Sequence, residues 1–296
     1  MHDVAIIGSG PAGLQSAIFT ASEGLKTAVF TGPQVGGQIH DTPKLENFAG
    51  QNSRGISGPE FINSMLAQCK SFGVNFISET VGKLDNHNGW LINSRHVARS
   101  VIVASGYRYK EPTIEGLHDH LNSQAFLGPF RCMSCPRGLT YCVVGGGNSA
   151  GQAILSLAEH AKRVYVITRS GVGMSQYLVE RIKAQRNITI KVDLTPHKMD
   201  VKSLHCSDGK EYNADFYFFC IGGTPNTDFI PKHLLDNTGH VKINESLEAM
   251  PGMYAIGDVR VGVRRHSVGS CIGDAATATA HLHEYLRSGK APKIGG

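Results

Sequence analysis

The sequence lacks several features that would place it in other classes of protein. It contains no run of eighteen apolar residues, so it predicts no membrane-spanning helix. It contains no run of five or more lysines and arginines, and its net charge of +5 gives little support for nucleic-acid binding. Its seven cysteines are odd in number and irregularly spaced, which argues against the disulfide framework of a small secreted protein.

The composition is that of an ordinary soluble globular protein. The chain has 296 residues, of which 41% are apolar and 18% charged, and this is enough for two domains with substantial cores. Its 35 glycines are many for the length, as expected where tight turns approach a cofactor. The first predicted strand begins at about residue 3, which leaves no room for a signal peptide. We therefore expect a cytoplasmic protein with mostly reduced thiols.

The first candidate site is a glycine turn near the amino terminus. The motif Gly8-Ser-Gly-Pro-Ala-Gly13 follows the apolar run Val4-Ala-Ile-Ile7 and matches the G-x-G-x-x-G pattern in full. A helix over about 11–23 and a strand over about 27–31 are predicted to follow. Such a turn places backbone N–H groups and the positive helix end against a pyrophosphate. The carboxylate that would bind the ribose of NAD is absent, since Thr31-Gly32 stands in its place.

A second glycine turn lies near the middle of the chain. The motif Gly145-Gly-Gly-Asn-Ser-Ala150 follows the apolar run Tyr141-Cys-Val-Val144. A helix over about 149–160 and a strand over about 163–168 are predicted after it, which completes a second βαβ unit. Two such turns on one chain predict two dinucleotide-binding domains.

A pair of cysteines, Cys132-Met-Ser-Cys135, precedes the second turn. A thiolate attacks a disulfide and a neighbouring cysteine resolves the product, so this spacing suits disulfide exchange. Arg131 and Arg137 flank the pair and favour the thiolate. Zinc needs four ligands, and no second C-x-x-C or C-x-x-H is present, so no metal site is predicted.

The predicted fold class is α/β, with two Rossmann-like, three-layer ββα dinucleotide-binding domains, the first of them discontinuous. We place the first part of the first domain at 1–111, the second domain at 112–237 and the rest of the first at 238–296. The pattern between about 74 and 104 predicts a small antiparallel insertion. A last helix is predicted over about 267–287.

Further loop motifs, in their order along the chain, resemble the low-molecular-weight thioredoxin reductases from residue 1 to about residue 288. These motifs are Gly37-Gln38, Glu46-Asn47, Ala104-Ser-Gly106, Gly257-Asp258 and Arg265-His-Ser267. The resemblance implies that the first turn binds FAD, that Asp258 contacts the flavin side chain, and that the final helix directs its N-terminus at the flavin pyrimidine. A helix N-terminus there would stabilise the negative charge of reduced flavin.

The resemblance implies two sets of cofactor-binding residues. Those assigned to FAD are Gly8, Gly10, Pro11, Ala12, Gly13, Thr31, Gly37, Gln38, Asn47, Val81, Ala104, Ser105, Gly106, Gly257, Asp258, Arg265, His266 and Ser267. Those assigned to a second nucleotide are Gly145, Gly147, Asn148, Ser149, Ala150 and Arg169. The catalytic residues implied are Cys132 and Cys135.

Two departures from the family pattern leave alternatives open. Pro136 stands where the family has an aspartate proton donor, and the cysteine pair lies four residues closer to the second turn. The family's arginine cluster for the extra phosphate of NADPH is reduced to Arg169, with Met174 in place of its last member. NADPH therefore competes with a second FAD, or no nucleotide, in the middle domain, and ferredoxin is an alternative electron donor.

The resulting prediction is an FAD-dependent disulfide oxidoreductase that passes electrons through the dithiol to a thioredoxin-like protein disulfide. The family also implies a homodimer. One alternative is a flavoenzyme like ferredoxin–NADP reductase that uses no dithiol, and another is a non-catalytic redox sensor. Cys271, in the first turn of the final helix, is predicted to be either a packing residue or a thiol of lowered pKa near the flavin.

Overall fold

A computed structural model of the chain describes residues 1–42, 44–51, 55–129, 135–262 and 267–291. The chain forms two compact units. One consists of Met1–Arg108 together with the chain from Thr224 onward, and the other of Tyr109–Gly223.

Both units combine strands and helices in alternation. The strands of the described residues, in chain order, are β1 (His2–Ile7), β2 (Thr27–Phe30), β3 (Asn75–Ile77), β4 (Leu84–Asn86), β5 (Trp90–Ile92), β6 (His96–Val103), β7 (Tyr107–Tyr109), β8 (Ala125–Leu127), β9 (Thr140–Val144), β10 (Arg163–Ile167), β11 (Ile188–Lys191), β12 (Pro196–Asp200), β13 (Ser203–Cys206), β14 (Glu211–Asn213), β15 (Phe216–Phe219), β16 (Gly223–Pro225), β17 (Glu248–Met250) and β18 (Met253–Ala255). The α-helices are α1 (Pro11–Ser22), α2 (Gly58–Ser71), α3 (Asn148–Ala158), α4 (Gln176–Lys183) and α5 (Val268–Arg287).

The sheet of the first unit has eight strands, and its main path has the order β17-β18-β6-β1-β2-β3. The strands along this path are parallel except for the edge strand β17. Strand β1 is central, with Ile6 paired to Val29 on one side and to Ile102 on the other. The predicted antiparallel insertion over 74–104 is wrong in extent. Only β4 and β5 add antiparallel strands beside β6, whereas β3 and β6 are parallel members of the main sheet.

The alternation of side chains in β1 produces three layers. Val4 and Ile6 are fully buried in one cluster with Leu14 of α1, while Ala5 and Ile7 pack in a second cluster with Trp90 of the β4–β5 hairpin. A parallel strand that is covered on both faces needs such a continuous apolar run. Each buried Val or Ile side chain contributes about 1.5–3 kcal/mol.

The second unit repeats this plan. Its parallel sheet has the order β11-β10-β9-β15-β8, and a separate antiparallel sheet has the order β12-β13-β14. In β9, Tyr141 and Val143 lie in a cluster with residues of α3 and α4, whereas Cys142 and Val144 lie in a cluster with residues of the antiparallel sheet. The predicted class, α/β with two Rossmann-like domains, is confirmed.

The chain returns to the first unit at Thr224. The sequence Thr224-Pro225-Asn226 predicts a return at this point, although the domain boundary was drawn at 237. Hydrogen bonds hold the returning chain there. Asn226 donates its backbone N–H to the carbonyl oxygen of Gly106 at 2.9 Å, and its carbonyl accepts the Ser105 hydroxyl at 2.7 Å. Ile230 is then buried in an apolar cluster of the first unit. Among the described residues, none of the helices is long and apolar enough to cross a membrane.

Candidate functional site

The first glycine turn is built by close backbone contacts that exclude any side chain. Gly8 has φ +112°, and a Cβ there would lie 2.2 Å from the carbonyl oxygen of Ala104. A Cβ on Gly13 would lie 2.0 Å from the carbonyl oxygen of Gly8. These contacts bring the ends of β1 and β6 against the first turn of α1.

The space in front of this turn is open. A Cβ on Gly10 would meet nothing within 4 Å, although Gly10 has an extended conformation that any residue adopts. Gly10 is the N-cap of α1, has no side-chain cap bond, and is followed by Pro11, which lacks an N–H. The first-turn N–H groups and the helix dipole therefore lie beside an open space, and they fit the pyrophosphate of a dinucleotide.

Neighbouring loops frame the same turn. The N–H of Gly36 donates to the carbonyl of Ser9 at 3.0 Å, and a Cβ on Gly37 would lie 3.4 Å from Cα of Gly10. Gln38 donates from Nε2 to the carbonyl of Tyr107 at 2.7 Å. This bond ties the Gly37–Gln38 loop to the end of Met1–Arg108, the first chain segment of the unit.

The remaining predicted residues of the amino-terminal part differ in exposure. Thr31 is buried, and its hydroxyl donates to the carbonyl of Gly32 at 2.9 Å. Val81 is buried in the same apolar cluster as Phe30. Asn47 is exposed.

The carboxyl-terminal part of the first unit meets the turn at Gly257. This residue has φ +68°, and a Cβ on it would lie 3.1 Å from Cβ of Ala12 and 3.5 Å from Sγ of Cys271. The half-buried Asp258 follows directly. Ser267 caps α5 by accepting the N–H of Ser270 at 3.2 Å. The structure thus brings the α1 turn, the Gly257–Asp258 loop and the start of α5 together. Arg265 and His266 lie outside the described residues.

Sequence reasoning missed Asp274 and Arg260. Asp274 is in α5 and is only 8% exposed, and its carboxylate accepts the N–H of Gly257 at 2.8 Å. The same carboxylate accepts two bonds from the Arg260 guanidinium, at 2.6 and 2.7 Å. A charged residue within the otherwise small and apolar stretch Cys271-Ile-Gly-Asp-Ala-Ala276 was the available signal.

Cys271 packs against the apolar cluster of the first unit that contains Leu14 and Ala275. Burial raises its pKa to about 12, and the negative charges of Asp258 and Asp274 add to this rise. Of the two alternatives drawn from the sequence, this favours the packing residue over the thiol of lowered pKa, because burial outweighs the helix dipole.

The second glycine turn has the same construction. Gly145 has φ +143°, and a Cβ there would lie 2.2 Å from the carbonyl oxygen of Cys220. A Cβ on Gly147 would meet nothing within 4 Å, and α3 begins at the next residue. Ser149 is exposed and Ala150 is buried. This turn, too, fits a pyrophosphate.

The loop after β10 is folded onto this second turn. Gly173 donates its N–H to the carbonyl of Gly146 at 2.8 Å, and Ser175 donates its N–H to Oδ1 of Asn148 at 2.8 Å. Met174 is buried, with Sδ 2.9 Å from where a Cβ on Gly151 would lie. Arg169, in contrast, is exposed. Met174, at the position of the last arginine in the family pattern, therefore makes a buried apolar contact. Arg169 supplies the positive charge of this loop after β10.

Cys135 is disulfide-bonded and buried, whereas the other described cysteines are free thiols. The hydroxyl of Tyr141 donates to the carbonyl of Pro136, which fixes the segment after Cys135 to β9. Arg137 is exposed. Cys132 and Arg131 lie outside the described residues. Among the described residues, no group of three His, Cys, Asp or Glu side chains is arranged to hold a metal ion.

Two nucleotide turns and a disulfide define a dinucleotide-dependent disulfide oxidoreductase. The chain belongs to the pyridine nucleotide-disulphide oxidoreductase family, whose model matches residues 2–280. It is 28% identical to the thioredoxin reductase of Bacillus subtilis (strain 168), covering 97% of this chain and 95% of that protein. It is 29% identical to the thioredoxin reductase of Mycolicibacterium smegmatis, covering 97% of both.

The fold agrees with these matches. The crystal structure of Lactococcus lactis thioredoxin reductase, in its FR conformation, superposes with a TM-score of 0.90 at 24% identity, covering 97% of this chain and 100% of that chain. The predicted resemblance to the low-molecular-weight thioredoxin reductases is confirmed, as is the predicted class of flavin-dependent disulfide oxidoreductase.

Proposed function

We propose that this protein reduces the disulfide of a thioredoxin-like protein, with FAD bound in the first unit and NADPH in the second. The observation that carries the proposal is the disulfide at Cys135, located in a unit whose own glycine turn fits a nucleotide. The names of the relatives, thioredoxin reductases over nearly their full lengths, support the choice of substrate.

Each unit has a separate task in this proposal. The turn Gly8–Gly13 and the start of α1 hold the FAD pyrophosphate, and Asp258 and the N-terminus of α5 lie on the flavin side. The turn Gly145–Gly147 and α3 hold the pyrophosphate of NADPH. When bound, FAD supplies two-electron transfer between a nicotinamide and a disulfide.

The chain's own chemistry is disulfide exchange between Cys132 and Cys135. One reduced cysteine attacks the partner disulfide as a thiolate and forms a mixed disulfide. The second cysteine then attacks that bond, so the pair returns to the disulfide and the partner leaves as a dithiol with two electrons and two protons.

Substitution of the exchange cysteines tests this function directly. We expect Cys132→Ser and Cys135→Ser to reduce thioredoxin turnover with NADPH below about a thousandth of the original rate, because the nucleophile or its resolving partner is lost. Cys220→Ser in the same unit is the matched control and should retain turnover. If the exchange variants kept full thioredoxin reduction, the flavoenzyme without dithiol chemistry would replace this proposal.

The electron donor is tested by anaerobic titration together with a count of flavin per chain. One FAD per chain, bleached by one equivalent of NADPH, is the expected result. Bleaching by reduced ferredoxin and not by NADPH would show that ferredoxin is the electron donor. Two flavins per chain would show that the second unit binds a second FAD in place of NADPH.

The Arg169 side chain is proposed to contact the extra phosphate of NADPH. A charge-assisted bond contributes about 1.5 kcal/mol, so Arg169→Ala should raise KM for NADPH about tenfold and leave KM for NADH unchanged. Arg163→Ala, at the exposed start of β10, is the control and should change neither value. An equal rise in KM for NADPH and for NADH in Arg169→Ala would contradict a contact between Arg169 and the extra phosphate.

The relatives' family also supports a homodimer, which sedimentation at micromolar concentration tests. A single species with the mass of one chain, 31.8 kDa, would contradict that assembly.

A further inference from the structure

We propose that the Asp274–Arg260 ion pair is a positioning device that holds the Gly257–Asp258 loop for the flavin, and thereby sets FAD affinity and the ease of flavin reduction. This inference rests on the proposed FAD site in the first unit.

The geometry of the pair is that of a two-pronged clamp. Nε of Arg260 lies 2.6 Å from Oδ2 of Asp274, and Nη2 lies 2.7 Å from Oδ1. The side chains are 17% and 10% exposed, so water screens the pair little. Arg260 also donates from Nη1 to the carbonyl of Val261 at 2.9 Å. The guanidinium therefore bonds both to α5, through Asp274, and to the backbone of its own loop.

The clamp acts on the backbone next to Asp258. Besides binding Arg260, the Asp274 carboxylate accepts the N–H of Gly257 at 2.8 Å. Gly257 is packed against Ala12 and Cys271, so it cannot shift without disturbing the starts of α1 and α5. The position of Asp258 is therefore tied to a carboxylate two turns inside α5.

A purely structural role would not need these charges. Buried ion pairs are often replaced by apolar residues without loss of stability, because both charges must be taken from water. An apolar side chain at position 274, however, could not accept the Gly257 N–H. The carboxylate performs this task, and Arg260 neutralises it close to the site where a reduced flavin carries negative charge.

The loss of one charge should therefore change both binding and redox behaviour. Asp274→Asn keeps an oxygen that accepts a hydrogen bond but leaves Arg260 with an unpaired positive charge. We expect FAD to dissociate about tenfold more readily, because the loop is no longer fixed by a charge-assisted bond. We also expect the flavin reduction potential to become more positive, because the unpaired guanidinium favours the anionic reduced form.

The experiment compares Asp274→Asn with a matched ion pair elsewhere in the same unit. Arg99 bonds Asp3 at 3.1 Å and the carbonyl of Leu286, in α5, at 3.2 Å, so it also attaches α5 to the sheet. FAD affinity is measured by fluorescence titration of the apoprotein, the potential by equilibration with a reference dye, and stability by the urea midpoint of the apoprotein. Arg99→Gln should lower stability and leave affinity and potential unchanged.

The outcomes separate this inference from the proposed function. If Asp274→Asn fails to fold, Arg260→Lys, which keeps the charge and loses the two-pronged geometry, should still weaken FAD binding, by less than about tenfold. The inference is overturned if these variants lower stability as Arg99→Gln does, with affinity and potential unchanged. If the unaltered protein binds no FAD, the proposed function itself fails.

Discussion

At the residue scale, the two glycine turns show that identical residue types serve different purposes. Gly8 is required by the fold, since its φ is positive and a Cβ on it would lie 2.2 Å from the carbonyl oxygen of Ala104, whereas Gly10 has ordinary dihedrals and open space before it. Gly145 and Gly147 repeat this division in the second unit. The inner glycine of each turn therefore packs the protein, and the outer one leaves room for a ligand.

This division predicts opposite phenotypes for two alanine substitutions. Gly8→Ala should lower the free energy of unfolding by about 2–4 kcal/mol, because a Cβ must fit at positive φ against Ala104. Gly10→Ala should leave apoprotein stability within about 0.5 kcal/mol and weaken FAD binding, because the new methyl group occupies the open space. Urea denaturation of the apoprotein and FAD titration measure both effects. A Gly10→Ala protein that binds FAD normally would contradict the placement of the pyrophosphate.

At the element scale, helix starts are where the sequence determines local structure most directly. In α2, the hydroxyl of Ser57 accepts the N–H of Glu60, while the Glu60 carboxylate accepts the N–H of Ser57 at 3.0 Å. Such a capping box satisfies N–H groups that the helix itself leaves unbonded. By contrast α1 and α3 have no side-chain cap, and both begin at the glycine turns. Both of these starts lie at the candidate pyrophosphate sites.

Removing the cap of α2 should reduce stability without affecting the cofactor. Ser57→Ala is expected to lower the free energy of unfolding by about 1 kcal/mol, because the Glu60 N–H loses its partner. Ser64→Ala, an exposed substitution inside the same helix, should be neutral or slightly stabilising. Urea denaturation measures both, and equal FAD affinity in the two variants shows that the loss is local. A Ser57→Ala protein as stable as Ser64→Ala would exclude a contribution from the cap.

At the scale of the whole molecule, many buried thiol and phenol groups make the free energy of unfolding depend on pH in the alkaline range. Burial is the largest cause of a raised pKa in each case. The groups whose pKa is raised to between about 11 and about 12 are Cys69, Cys206, Cys220, Cys271 and Tyr212. The ordinary values are 9 for the thiol and 10 for the phenol. Between these and the raised values, the folded chain binds more protons than the unfolded chain, so stability falls as pH rises.

The urea midpoint should therefore decrease steadily from pH 9 to pH 11. Cys220→Ala removes a thiol whose pKa is raised to about 12 by burial alone, and it should make the decrease shallower. Comparison of the midpoints of the two proteins at pH 8, 9, 10 and 11 tests this. Parallel curves would show that Cys220 does not contribute to the alkaline loss.

The sequence by itself determined the features that depend on neighbours along the chain. Strand, glycine and helix follow one another at Gly8 and Gly145, so the turns, the α/β class and the family resemblance were all predictable. Packing of distant segments decided the rest. The bonds from Asn226 to Ser105 and Gly106, which hold the returning chain, join segments that lie far apart in the sequence.

Tertiary structure alone also decided the roles of two residues near the proposed flavin site. The Asp274 carboxylate meets Gly257 and Arg260 only after α5 has docked, and the same docking buries Cys271 and raises its pKa. Local pattern reports which dihedrals and helix ends a segment favours, whereas burial and charge depend on what a distant segment places beside it.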